Sequence, residues 1–141
     1  MAYVYEHRVR YRECDPMGVV YHAHYIDYFE AARTEALRTM GLPYKALEDS
    51  GLFMPVVAVE VQYKQPALYD DLLHIHTWFD EAPRVRVPVR YAVTRAEEDA
   101  VLATGLVTLC IMDRTRHRPV SAPPRVLDAY THFVETYGAA P

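Results

Sequence analysis

Residues 15–40 read D-P-M-G-V-V-Y-H-A-H-Y-I-D-Y-F-E-A-A-R-T-E-A-L-R-T-M, and this stretch decides the fold. Pro16 and Gly18 mark a turn, because Pro fixes φ and Gly permits a positive φ. Beyond the turn, Tyr25, Ile26, Phe29, Ala32, Leu37 and Met40 recur at steps of three and four, which is one face of a helix. Gly41 and Pro43 supply the stop: a left-handed cap residue, then a residue that cannot continue the helix. A helix from His22 to Met40 would be ~28 Å long, a spine for the rest of the chain.

Asp15 stands at the mouth of the turn that opens this helix. The first N–H groups of a helix lack internal partners, and the dipole makes that end partly positive. Such an end can polarise a carbonyl and hold a developing oxyanion. A carboxylate beside it can attack that carbonyl or activate a water. One short stretch therefore carries what acyl transfer needs. The residues alone leave a second reading open, in which Asp15 is simply a turn or N-cap residue.

Upstream, Tyr5–Arg12 alternates and predicts a first strand that delivers Asp15. Downstream, a short helix is expected over Tyr44–Asp49. From Met54 the period changes to two, with Val57, Val59, Val61 and Tyr63 on one face and Glu60, Gln62 and Lys64 on the other. Two further alternating runs, 72–79 and 84–93, follow turns at 69–71 and 80–83. Pro88 within the second implies a bulge or a locally unpaired edge. Val101–Met112 is the most apolar run, expected to be central or buried on both faces. Gly105 inside it permits a bulge or a close backbone approach. A basic loop, Arg114–Arg125, leads to a last helix with Pro124 at its first turn. Strands in succession beside segregated helices predict an α+β fold: five antiparallel strands, a long helix on one face and a C-terminal helix. One helix leaves much of such a sheet uncovered, so a dimer is expected.

The chain has 141 residues, 51% of them apolar, which suits one globular domain spanning 1–141. A formal charge of −4 gives no nucleic-acid footprint. No apolar run approaches a membrane span, and M-A-Y-V-Y-E-H-R lacks the apolar core of a signal peptide, so a cytoplasmic location is expected. Cys14 and Cys110 have no zinc or C-x-x-C spacing and read as reduced structural thiols; a nucleophilic Cys14 lacks a supporting Cys–His–Asn pattern. His74 and His76 share a strand face with Trp78, but no third ligand is in view and no metal is expected. Glu30 and Arg33, at i, i+3, can pair, with Glu30 a fallback acid.

The stretch Y-R-E-C-D-P-M-G-V-V-Y-H-A-H-Y-I-D-Y-F-E-A-A-R-T-E, Tyr11 to Glu35, resembles the hotdog-fold acyl-CoA thioesterases, specifically the 4-hydroxybenzoyl-CoA thioesterase group and its YbgC-like branch. Weaker agreement runs through V-E-V-Q-Y at 59–63, Pro66, Asp70-Asp71, Arg90-Tyr91 and the strand ending at Asp113. The resemblance implies a sheet around a central helix, with two protomers pairing into one continuous sheet and active sites between them. It places Asp15 on the family's catalytic carboxylate and His22 at the helix start, where a backbone N–H polarises the thioester carbonyl. The N–H groups of Tyr21 and His22 are the candidate clamp. The implied chemistry is attack by Asp15 or general-base activation of water. A thiolate leaves readily, so one carboxylate plus N–H donors can suffice.

Arg84 and Arg86 are the candidate contacts to the phosphates of coenzyme A, since the forked guanidinium suits phosphoryl groups; a solvated basic face explains them equally. Gly18, Tyr25, Val57 and Val59 are the candidate substrate contacts, though the two valines could be ordinary core. Most of the branch carries Thr where Cys14 stands and Asn where His24 stands. The implied substrate is a short aliphatic or aromatic acyl-CoA, with an acyl carrier protein as the other carrier. No cofactor is needed, coenzyme A being part of the substrate. The expected assembly is a homodimer or homotetramer. A hydratase or dehydratase acting on enoyl thioesters, and a non-catalytic acyl-CoA-binding module, are the alternatives on the same fold.

Overall fold

A computed structural model of the protein describes residues 2–141. In chain order the elements are β1 (Tyr3–Arg8), a 3-10 turn (Tyr11–Glu13), α1 (His24–Thr39), α2 (Tyr44–Asp49), β2 (Leu52–Phe53), β3 (Val56–Tyr63), β4 (Leu72–Phe79), β5 (Arg86–Arg95), β6 (Val101–Cys110), β7 (Met112–Asp113), β8 (Arg118–Pro119) and α3 (Pro124–Tyr137). Five strands form one antiparallel sheet in the order β1-β4-β5-β6-β3. The two-residue strands β2, β7 and β8 make a separate small sheet that the alternation did not foretell.

The first strand stops earlier than expected. Val9 leaves the ladder and exchanges hydrogen bonds with the turn at 70–71: its N–H donates to the Asp71 carbonyl at 2.9 Å and its carbonyl accepts from Asp70 N–H at 3.1 Å. The chain then coils through the 3-10 turn before reaching Asp15. The long helix also starts later, at His24, and it presents a different face. Tyr25, Tyr28, Phe29, Ala32, Arg33, Ala36 and Leu37 are buried, whereas Ile26 is exposed. Its end follows the expected cap. Gly41 takes φ +79°. Leu42 N–H bonds the Leu37 carbonyl at 2.9 Å and Gly41 N–H bonds that of Arg38 at 3.0 Å, the paired bonds of a Schellman cap.

Gly105 provides a close approach. A Cβ built there would stand 2.7 Å from Cζ of Phe29, so the Phe29 ring occupies the space a side chain would need. Phe29 is fully buried and stacks on Tyr91 of β5 with centroids 4.5 Å apart. Full burial of such a ring is worth on the order of 1.5–3 kcal/mol, and this contact seats α1 over β5 and β6. Pro88 lies in an interior strand but at the end of its ladder with β4. Its carbonyl accepts from Asp80 N–H at 3.0 Å, just past the end of β4. The missing N–H points the same way, so it removes only the reciprocal, terminal bond of that ladder. At the far side, Phe133 of α3 packs edge-on against Phe79 at 5.0 Å and near Tyr3 at 6.3 Å, closing the core.

Arg33 does not pair with Glu30. It is buried to 5% exposure, and its guanidinium donates to the hydroxyls of Tyr44 (2.9 Å) and Tyr91 (3.0 Å), tying α1 to α2 and β5. β3 is, with β1, one of the two edge strands of the sheet, pairing only with β6. Its residues are exposed apart from the half-buried Val61, whereas β1 alternates between exposed and half-buried.

Candidate active site

Asp15 sits at the tip of a tight hairpin held by Pro16, Gly18 and the Cys14–Val20 bridge. Its N–H donates to the Val19 carbonyl at 2.9 Å, and its carbonyl accepts from Gly18 N–H at 2.9 Å. Gly18 has φ +81°, which closes this turn and explains why a glycine stands there. Oδ1 of Asp15 accepts Met17 N–H at 2.9 Å. Its other carboxylate oxygen accepts no hydrogen bond from the described residues. One oxygen is therefore held and the other is free to take a proton or attack.

An open cleft of about 310 Å³ adjoins this carboxylate. Asp15, Met17, Val19 and Val20 form one wall, His22 and Tyr25 the start of α1, and Tyr63 through Pro66 the wall opposite. Tyr25 is buried, and burial pushes its phenol above the usual range, so it is a neutral, largely apolar surface here. Its ring lies edge-on to Tyr63 at 5.3 Å. The Tyr63 hydroxyl donates to the His22 carbonyl at 2.8 Å, fixing the first turn of the helix against β3. Among the described residues, nothing accepts the backbone N–H of His22 or Ala23. Tyr21 is different. Its N–H donates to the Glu13 carbonyl at 2.8 Å, so it cannot serve as the second donor of an oxyanion clamp. Its ring lies tilted beside that of His22, with centroids 4.4 Å apart, and does not line the cleft.

A carboxylate with one free oxygen, a helix start with free N–H groups and an apolar wall in one cleft suit attack on an activated carbonyl. Residues 9–130 match the thioesterase-like superfamily. The chain belongs to this family. The acyl-CoA thioesterase YbgC of Haemophilus influenzae is 33% identical over 89% of this chain and 92% of its own. The 1,4-dihydroxy-2-naphthoyl-CoA hydrolase of Synechococcus elongatus is 27% identical over 89% of this chain and 93% of its own. The crystal structure of a DHNA-CoA thioesterase from Staphylococcus aureus superposes with TM-score 0.85 at 26% identity, covering 98% of this chain and 95% of that one. The sheet and its helices are thus those of a hotdog-type thioesterase.

Within this superfamily fold, other expected contacts fall elsewhere. Arg84 and Arg86 are exposed at the opposite end of the sheet. Arg95, at the near end of the same strand, donates to the Pro66 carbonyl beside the cleft at 2.7 Å. From Arg86 to Arg95 is about 30 Å at 3.3 Å per residue, so the two arginines cannot share a ligand with Asp15 of the same protomer except at the far end of a long molecule. Val57 and Val59 are neither core nor cleft wall: they are 49% and 42% exposed on β3, Val57 at a bulge. Partial burial and the neighbouring Glu13 and Asp15 charges raise the Cys14 thiol, which works against a nucleophilic role. His74 bonds Glu6 at 2.9 Å and His76 bonds Thr94 at 3.1 Å. Among the described residues no three His, Cys, Asp or Glu side chains are grouped to hold a metal.

Two features escaped the sequence reading. Tyr63 was legible as a strand residue but not as the prop of the helix start, because its partner is 41 positions away. Glu13 is 6% exposed, with Tyr28 Oη donating to Oε1 at 2.5 Å and His7 Nε2 at 2.7 Å. Burial alone would raise this carboxyl, but the bonds from Tyr28 and His7 outweigh it and hold it below the usual range. The same burial and the same bond push the Tyr28 phenol far up. Glu13 thereby clamps the Asp15 hairpin to β1 and α1.

Proposed function

We propose that this chain hydrolyses acyl-CoA thioesters of short aliphatic or aromatic acids, with Asp15 as the nucleophile or general base. The observation that carries the reading is that Asp15, with one carboxylate oxygen unbonded, and His22, with its backbone N–H unbonded, line the same cleft. With the thioester carbonyl oxygen turned to the start of α1, the N–H of His22, joined by that of Ala23, donates to it and stabilises the charge that develops there. In the general-base course Asp15 takes a proton from water, the hydroxide adds to the carbonyl carbon, and the tetrahedral adduct expels the coenzyme A thiolate. In the covalent course the carboxylate adds instead, and water then cleaves the mixed anhydride. Neither needs a strong acid at the sulfur. Tyr25 and Tyr63 wall the acyl side and keep it apolar. Hydrophobic walls separate substrates differing by a methylene by only ~1–3 kcal/mol, so several acyl groups should be accepted.

The same reading includes a homodimer joined along β3. Its support is the edge itself: Val56, Val57, Val59 and Tyr63 are exposed on a long strand with no partner on one side, which soluble proteins rarely leave open. The test is thiol release from a panel of short, long and aromatic acyl-CoA thioesters by wild type and Asp15→Ala in parallel, with light scattering for the assembly. Turnover abolished by the substitution supports the assignment. Turnover that survives it removes Asp15 from the chemistry.

A further inference from the structure

Two tyrosines stack in solvent beside the Asp15 hairpin. Tyr11 is 76% exposed and Tyr69 46%, yet their rings lie 3.9 Å apart and within 12° of parallel. Large apolar rings in water are normally scattered singly; a stacked, exposed pair is a ready platform for another flat ring. Arg8, Arg10 and Arg12 surround it, all exposed, in a chain whose formal charge is −4. Arg8 is fixed by donating to the Asp70 carbonyl at 2.8 Å. Arg10 and Arg12 make no ion pair with a described residue. Together with Tyr69 and Asp70, the only acid in the lining, these residues surround a hollow of about 380 Å³.

The hollow is coupled to the catalytic cleft by short covalent and hydrogen-bonded paths. Cys14 N–H, next to Asp15, donates to the Tyr11 carbonyl at 3.1 Å. On the other strand of the junction, Val19 bridges Leu68, the neighbour of Tyr69, and Val20 N–H donates to the Ala67 carbonyl at 2.9 Å. Four extended residues span at most ~14 Å, which bounds the separation of Tyr11 from Asp15. The pantetheine arm, built from β-alanine- and cysteamine-like units, has a comparable reach. A thioester at Asp15 can therefore lay its other end on this hollow.

We propose that the Tyr11–Tyr69 stack, with Arg10 and Arg12, binds the nucleotide end of coenzyme A: the adenine on the outer face of Tyr11 and the phosphates on the two guanidinium groups. Stacking on an aromatic ring serves any purine, and forked guanidinium donors serve phosphoryl oxygens. This rests on the acyl-CoA reading above, and it moves nucleotide recognition within the protomer from Arg84 and Arg86 to the Asp15 end of the sheet.

The decisive comparison is between an acyl-CoA and the same acyl group on pantetheine, which lacks the nucleotide. Tyr11→Ala should raise KM for the acyl-CoA about 10-fold with little change in kcat, as expected for loss of one stacked base. It should leave the acyl-pantetheine constants where they were. Tyr11→Phe, which keeps the ring, should restore the wild-type KM, and Arg10→Gln should raise KM for acyl-CoA alone in a salt-dependent way. Equal losses on both substrates, or none on acyl-CoA, would overturn the platform. Should wild type hydrolyse neither substrate, the thioesterase reading fails separately. Calorimetry with coenzyme A itself then decides the platform: weaker binding in Tyr11→Ala sustains it, and equal or absent binding in both proteins ends it.

Discussion

Glu13 and Asp15 are two carboxylates separated by one residue, and the fold treats them in opposite ways. Glu13 turns inward between β1 and α1, is nearly fully buried, and receives hydrogen bonds from Tyr28 and His7. Asp15 turns to the other flank of α1, half-buried at the edge of an open cleft, with one oxygen held by Met17 N–H. The alternation of an extended segment sends residues i and i+2 to the same side. Here the 3-10 turn at Tyr11–Glu13 and the hairpin after Cys14 break that alternation and separate the pair. A carboxylate whose hydrogen-bonding capacity is met by the protein stabilises the fold. One with an unmet oxygen facing a cleft is available for chemistry. The first needs hydrogen-bond partners that the second must lack.

The largest expected effect sharpens that division. Asp15→Asn keeps the Oδ1 acceptor for Met17 N–H but removes the base or nucleophile. It should lower kcat/KM for a good acyl-CoA by on the order of 10²–10⁴, the range for a general base, while the thermal midpoint stays near that of wild type. A midpoint that falls with activity would mean Asp15 is a turn residue first.

Glu13→Ala should do the reverse. It deletes two charge-assisted hydrogen bonds in a buried site and leaves the Tyr28 hydroxyl without its acceptor. Each such bond is worth ~1.5–3 kcal/mol, so a loss of about 3 kcal/mol and a midpoint lower by on the order of 10 °C are expected. The Glu13 carbonyl, which accepts Tyr21 N–H, is retained, so kcat at a temperature where the variant is folded should change far less than in Asp15→Asn. Equal loss of kcat in both variants would erase the contrast.

A smaller effect separates the two acids by pH. The folded Glu13 carboxyl lies below its ordinary value, so its contribution is complete above the unfolded value of about 4.3 and disappears as pH falls through the folded value. Thermal midpoints of wild type and Glu13→Gln should therefore differ most near neutrality and converge below about pH 4. A gap that stays constant with acidification would show that packing, not charge, holds the site.

Local signals account for what the sequence made legible. The helix stop at Gly41, the first helical position at Pro124, the short helix at Tyr44–Asp49 and the close approach at Gly105 each follow from one or two residues and their backbone chemistry. Asp15, His22 and Tyr25 came from the same contiguous motif, and the structure brings all three to one cleft. Long-range partnerships were the blind spot. Arg33 had a carboxylate three residues away and chose instead two tyrosine hydroxyls, one of them 58 positions on, because its side chain is buried while Glu30 is exposed. Ile26 satisfied the helical period yet faces water, since the buried stripe is centred on Tyr25, Phe29 and Ala32. Val57 and Val59 had the alternation of core residues, but alternation only says that a face is apolar. What covers that face depends on the layer packed against it, and along β3 every residue but Val61 is exposed. Tyr21 was placed with His22 by adjacency, and one backbone bond to Glu13 separates their roles.

The smallest expected effect joins the two flanks. Tyr63 is exposed and sits on β3, but its hydroxyl holds the His22 carbonyl, so it fixes the helix start beside the cleft that Asp15 lines. Tyr63→Phe keeps the ring that walls the cleft and removes only that bond, worth ~0.5–1.5 kcal/mol. Global stability should hardly move, because the bond is at the surface. The cost should fall on the orientation of the His22 N–H relative to the thioester carbonyl, lowering kcat severalfold with KM nearly unchanged. In an Asp15→Asn background the same substitution should have a smaller effect, since a clamp for the oxyanion matters most when the carbonyl is being attacked. Independent, multiplicative losses in the double variant would mean that Tyr63 shapes the acyl wall rather than the clamp.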